Sequence, residues 1–493
     1  MKTALILAFL PLAFAAAQEL HDHPSPEKLG IVSFPVSCRP EVQAQFNRGV
    51  ALLHSFTYKE AGEAFQSVAQ QDPHCAMAHW GKAMTHYHQL WDLPPSSEDT
   101  AAARQELNQA LRLGGTSERE RGFIQALNLV FQDASTVPYS TRALRYEAAM
   151  RQLASSMPKD VETQIFYALA LVSNASPYDR EHVKQKEAAS LLEPLFRSFP
   201  DHPGIPHYFI HACDNQELAP RGLAAAKTYA HIAPSAPHAL HMPSHIFTRL
   251  GLWSDSITSN LDARDAALHQ GDTGEALHAM DYLVYAYLQK GDDEDAALVI
   301  KQLQKMDNLR IGDFKIGYAA TAMPIRYIIE RQKWSDAENI RNPSESAQPY
   351  VVATAVWARG LGFAHTGNAR AADQEAETLR QLEDRLRSSG NLYWATQVDI
   401  MKREVMGWST QAANEPEKAI AILRSAADEE DGIEKLPVTP GPIIPAREQL
   451  GELLLETDPK AASEAFATAL VNAPGRRRAL QGAAKAAARQ GTQ

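Results

Sequence analysis

Residues 49–73 read GVALLHSFTYKEAGEAFQSVAQQDP. In this stretch Gly49, Leu52, Ala61, Phe65, Val68 and Pro73 stand at the small, large, small, aromatic and proline offsets of a helical-hairpin repeat about 34 residues long. The small residues let two antiparallel helices approach closely. The large ones fill the space between hairpins, and the proline ends the second helix. Gln45 and Arg48 replace apolar residues at the opening of the unit, so recurrence rather than any single unit decides the fold.

The offsets recur. Ala188, Leu192, Leu195 and Pro200 repeat those of the second helix, as do Gly222, Ala226, Tyr229 and Pro234. Gly291, Ala296 and Ile300, then Gly360, Phe363, Gly367, Ala372 and Ala376, and finally Ala462, Phe466 and Pro474 carry the pattern to the end. Alanine-rich segments with apolar spacings of three and four run from Glu41 onward, and no alternating strand pattern interrupts them. The chain is therefore expected to be all-α. It reads as an α-solenoid of tetratricopeptide-repeat-like (TPR-like) antiparallel hairpins, roughly eight to eleven of them, forming a right-handed superhelix. The array is expected over residues 38–435. Residues 18–37 read as a loose polar arm. Residues 436–493 hold a proline-rich crossing, a last hairpin and a capping tail. The crossing, LPVTPGPIIP at 436–445, cannot be helical throughout and is expected to run over the surface. Arg476, Arg477 and Arg478 read as part of a solvated cap.

Composition narrows the function. With 48 basic against 59 acidic residues the net charge is −11, which repels phosphate backbones and disfavours nucleic acid as a partner. Residues 1–17 combine Lys2, the apolar run Leu5 to Phe14 and Ala15-Ala16-Ala17 before Gln18. This is the pattern of a secretory signal peptide without a lipoprotein cysteine, and no stretch is long enough for a membrane span. A periplasmic or secreted location is expected. Of three cysteines, Cys38 and Cys75 flank the first hairpin and either pair or, with Cys213, remain buried thiols.

Several longer strings resemble a bacterial family of exported TPR proteins known mainly by their repeats. They are RGVALLHSFTYKEAGEAF, DPHCAMAHWGKAM, HPGIPHYFIHACD, IAPSAPHALHMPSHIFTRLGLW and MDYLVYAYLQKGD. The resemblance spans about Cys38 to Gly291. It implies the fold and no particular reaction.

Seven of the 18 histidines fall between Asp201 and His245. With repeats opening at Pro203 and Pro237, His207 and His241 share the fifth position of a first helix, and His211 and His245 the ninth. Each pair is four apart and lies on one helix face. In TPR proteins the second, fifth and ninth positions resemble a ligand-facing stripe. The same frame adds His238 and His278 at second positions, Asp281 at a fifth and Tyr285 at a ninth. Imidazoles four apart on neighbouring helices can share an ion. His207, His211, His241 and His245 with Asp281 are thus candidate ligands for zinc, copper or iron. A polar-ligand groove and satisfied core histidines are the other two readings. A second cluster, in which His54 and His88 share a late inner-face position and Trp80 takes a fifth, extends the candidate groove toward Trp91. Packing of Trp80 and Trp91 between hairpins is its alternative.

No His-Glu-x-x-His, phosphate-binding loop, dinucleotide fingerprint or Gly-x-Ser-x-Gly motif is present. The leading expectation is an exported scaffold binding a peptide or protein partner in a concave groove lined by His54, Trp80, His88, His238, His278 and Tyr285. The competing one is a metal-binding protein or metalloenzyme built on the histidine cluster. No catalytic residue follows from the sequence.

Overall fold

Gly49 and Gly81 approach the ring of Phe65 from two neighbouring helices. A Cβ on either would come within 2.7 Å and 2.4 Å of that ring. Close approach of this kind stacks Gln43–His54, Tyr58–Gln71 and Ala76–Met84 one against the next. In the computed structural model, which describes residues 27–90, 94–114 and 117–491, all regular elements among the described residues are helices. Consecutive helices pack as hairpins through to Arg477–Gln490, so the all-α hairpin solenoid expected from the repeats is the fold adopted. Polar N-caps start many helices. Ser117 forms a reciprocal capping box with Glu120, and Asp160, Asp272 and Asp458 each accept a backbone N–H. No helix among the described residues is long and apolar enough to cross a membrane.

Three expectations change in three dimensions. The described part of the N-terminal arm, residues 27–37, is not loose. Ile31 N–H donates to the Asp201 carbonyl at 2.8 Å, and Phe34 is buried among Phe46, Trp80, Phe123 and Phe166. The rest of the arm, the signal segment 1–17 and Trp91 lie outside the described residues.

The proline-rich crossing is irregular, as expected, but it is buried against the helices that carry Tyr282 and Arg326 rather than running over the surface. Val438, Thr439, Ile443 and Ile444 are buried. Tyr282 Oη donates toward the carbonyls of Pro437 and Thr439 at 3.3 Å and 3.2 Å, and Arg326 Nη1 donates to that of Pro442 at 3.2 Å. Prolines have no N–H to leave unpaired, so an irregular strand of this composition is buried at lower cost than most.

Two of the three arginines, Arg476 and Arg478, are likewise internal. Arg476 is fully enclosed, donating to Glu448 at 2.8 Å and 3.2 Å, to Glu330 at 2.7 Å and to Tyr285 Oη at 3.2 Å. Arg478 pairs with Glu452 at 2.6 Å. These pairs draw the last helix against Thr273–Lys290 and Phe314–Glu330, far back along the chain. Cys38 and Cys75 are joined in a disulfide, and Cys213 is a buried thiol.

Removing one member of a buried ion pair strands the other without water. Arg476→Ala is expected to lower unfolding free energy by about 3–5 kcal/mol. Arg477→Ala, whose pair with Asp293 is partly exposed, is expected to cost less than about 1 kcal/mol. Urea unfolding of both variants checks the contrast, and equal losses would contradict the buried network.

Candidate metal centre

The helix Gly204–Cys213 carries His207 and His211. The next first helix is split by Pro243, which lacks the N–H that would continue the ladder, into Pro237–His241 and Pro243–Arg249. These pieces carry His238, His241 and His245, and Thr273–Lys290 supplies His278. All six imidazoles are buried. They gather in two sets, His207 with His211 and His238, and His241 with His245 and His278. Within each set one candidate ligand atom per residue lies within 4.8 Å of the others. The sets touch, with ring centroids of His211 and His245 at 5.7 Å and of His238 and His241 at 6.0 Å.

Hydrogen bonds fix which ring nitrogen carries the proton. Asn260 gives its amide N–H to the Ser256 carbonyl at 2.7 Å, so its Oδ1 accepts from His241 Nδ1 at 2.6 Å. The Asp214 carboxylate accepts from His245 Nδ1 at 2.8 Å. Both Nε2 atoms are therefore left with lone pairs, and they face each other at 3.0 Å. Two lone pairs at this distance repel unless a cation sits between them. Nitrogens bound at about 2.0–2.1 Å to one tetrahedral ion are about 3.3 Å apart, close to the spacing found. A proton bridges two nitrogens only, whereas His278 brings a third, its ring 4.1 Å from that of His241. In the other set His207 Nδ1 donates to the His54 carbonyl and His238 Nδ1 to Glu275 at 3.1 Å. Such outer partners orient ligating imidazoles.

The surrounding charges cancel. Asp214 is held by Lys435 at 2.8 Å and Arg249 at 2.9 Å, and Arg249 also meets Glu434 at 2.9 Å. Lys315 pairs with Glu275, and Arg326 with Asp281 at 3.5 Å. These four carboxylates and four cations sum to zero. Burial opposes ionisation of Asp214, but Lys435, Arg249 and His245 outweigh it and hold the group well below the usual carboxylate range. Burial, reinforced by neighbouring imidazoles, pushes His207, His211, His241 and His278 well below the ordinary imidazole value. His245 is lowered to about 4 by burial, with Asp214 opposing. Neutral imidazole is the form that binds metal.

The four predicted ligand histidines thus converge, but not as one set, and Asp281 is turned to Arg326 instead of joining them. His238 and His278, expected in a ligand groove, complete the two sets. The remaining groove candidates do not line an open hollow. Trp80 is packed between Phe34 and Phe123, and Tyr285 lies between Arg326 and Arg476. His88 is half-buried, stacked on Tyr58 at 4.3 Å. His54 is buried with His202 around Glu162, its Nε2 2.9 Å and that of His202 3.0 Å from the carboxylate, while His54 Nδ1 meets Tyr208 Oη at 3.0 Å. In that third set Glu162 lies between both rings, and the buried His202 Nδ1 has no hydrogen-bond partner. A Cβ at Gly204 would strike His54 Nδ1 at 2.6 Å, so glycine there lets the ring in. Trp80, Tyr285 and His54 are thus enclosed rather than presented to a groove. Asp214, Asn260 and Lys435 escaped the sequence reading. Asp214 follows the His-x-x-x-His pair by three residues, but no repeat position distinguishes it, and Lys435 lies more than 200 residues away.

No protein-family model matches the chain, and no curated protein matches it. Among solved structures, one of Naa15/Naa10 bound to HypK-THB is 12% identical, covering 91% of this chain and 67% of that one, with a TM-score of 0.26. A monomeric IFIT1 mutant with Gppp-AAAA is 11% identical over 84% and 90%, with a TM-score of 0.37. The P58(IPK) TPR domain is 12% identical over 92% and 99%, with a TM-score of 0.23. These superpositions are loose, and the solenoid assignment rests on the helix packing itself.

The depressed imidazoles set a pH dependence. In the unfolded chain they take up protons below about 6.5; in the folded chain they do not until lower pH. The folded state binds fewer protons, so its stability falls as pH drops through 6.5 and continues falling toward 4 for His245. Each such group contributes a slope of about 1.4 kcal/mol per pH unit. Chelator-stripped protein is expected to lose melting temperature steeply between pH 6.5 and 5, and a flat profile there would contradict the burial of neutral rings.

Proposed function

We propose that the chain is an exported helical-hairpin scaffold that binds a transition metal through its enclosed histidines, with His241, His245 and His278 as ligands. One observation carries this reading: the Nε2 atoms of His241 and His245 face each other at 3.0 Å while Asn260 and Asp214 take both Nδ1 protons. Zinc, copper and iron all accept imidazole donors. The Cys38–Cys75 disulfide and the signal-like residues 1–17 support export to an oxidising compartment. A peptide or protein partner, the use that hairpin arrays suggest, is compatible with this reading on faces other than the enclosed one.

Protein purified without a histidine tag is expected to hold stoichiometric transition metal by elemental analysis and to melt higher with metal than after chelation. A ligand at 100 times its Kd adds about 2.7 kcal/mol. Asn260→Ala removes the orienting acceptor of His241, together with the Asn260 hydrogen bonds to Ser256 and Ser244, and is expected to weaken metal binding about 10–100-fold. Absence of metal together with unchanged melting in chelator would sink the proposal.

A further inference from the structure

Resting on that reading, we infer that the cluster is a two-ion copper centre, with one ion at His241, His245 and His278 and a second at His207, His211 and His238. The second set repeats the construction of the first. Its ligand atoms fall within the same 4.8 Å, His207 Nδ1 donates to a backbone carbonyl, and His238 Nδ1 donates to a carboxylate. His207 Nε2 is buried with no hydrogen-bond partner. His54, Glu162 and His202 form a differently built group, in which two imidazoles share one carboxylate at 2.9 Å and 3.0 Å.

Contact between the sets makes the two ions a pair. With His211 and His245 centroids at 5.7 Å and metal–nitrogen bonds of about 2 Å, the ions lie at most about 12 Å apart.

Charge selects the metal. The six imidazole ligands bring no negative charge, and the carboxylates of Asp214, Glu434, Glu275 and Asp281 are already matched by Lys435, Arg249, Lys315 and Arg326. Two divalent ions at a given separation repel about fourfold more strongly than two monovalent ones. Copper is the imidazole-binding metal that is stable as a monovalent ion, and as the divalent ion it heads the affinity order. Paired sites without an anionic ligand therefore suit cuprous ions. Zinc, fixed as a dication, is expected to fill one set and be resisted at the other.

The test titrates chelator-stripped full-length protein anaerobically with Cu(I) against a competing Cu(I) chelator, and in parallel with Zn(II). Two equivalents of Cu(I) are expected. For Zn(II), one equivalent is expected, with a second at least about 10-fold weaker. After oxidation of the bound copper by ferricyanide, the electron paramagnetic resonance spectrum is expected to show two interacting Cu(II) ions. His211→Asn is expected to leave one copper with an isolated-ion spectrum and an intact circular dichroism spectrum. His207→Asn serves as a second variant should the first not fold. A wild-type stoichiometry of one copper, two equally tight zinc ions, or two copper ions without magnetic interaction would overturn the pair while leaving a single metal site standing. No binding of either metal would overturn the underlying reading as well.

Discussion

The enclosed carboxylate of Asp214 joins the parts of this molecule that matter most. One oxygen takes the Nδ1 proton of His245 and the ammonium of Lys435, and the other takes Arg249. Burying an anion is tolerable only when cations and hydrogen bonds replace its water. Here the replacements come from two distant elements: Pro243–Arg249 supplies the histidine and arginine, and the segment leading into the proline-rich crossing supplies the lysine. A requirement of electrostatics thus positions a ring nitrogen, ties a distant strand across the solenoid and fixes the turn that follows Gly204–Cys213.

That linkage is one reason the histidines are enclosed. Segments far apart in the sequence pack against the hairpins. Residues 27–37 lie over the early hairpins, the crossing lies against Tyr282 and Arg326, and Arg476 reaches Glu330 and Tyr285 from the last hairpin. Closure lowers the local dielectric around the histidines. It keeps the rings neutral and makes each fixed hydrogen bond more consequential than it would be in water.

Much of the fold was legible because the repeat offsets of Gly49, Phe65 and Pro73 describe contacts between neighbours in sequence. The gathering of His207, His211, His241 and His245 was legible for the same reason, since spacing of four along a helix and matched positions in adjacent hairpins survive folding unchanged. The division into two sets was not. Asp281 shares its helix with His278 three positions earlier, yet its carboxylate goes to Arg326, a partner chosen by a neighbouring helix. Trp80 sits at a position that lines a groove in an open array and fills a core in this closed one. Arg476 to Arg478 look like a solvated end until their carboxylate partners, more than 20 residues away at least, are brought alongside.

The sequence alone determined the all-helical hairpin architecture, the helix faces on which the histidines stand and the net acidity of the surface, because these follow from local periodicity and composition. Only the tertiary structure decided that the inner face is enclosed, that imidazole protons are committed to Asn260, Asp214 and Glu275, and that six rings divide three and three. Those outcomes depend on pairings between residues tens to hundreds of positions apart, and such pairings are set by where buried charges and amides find partners, which no repeat period encodes.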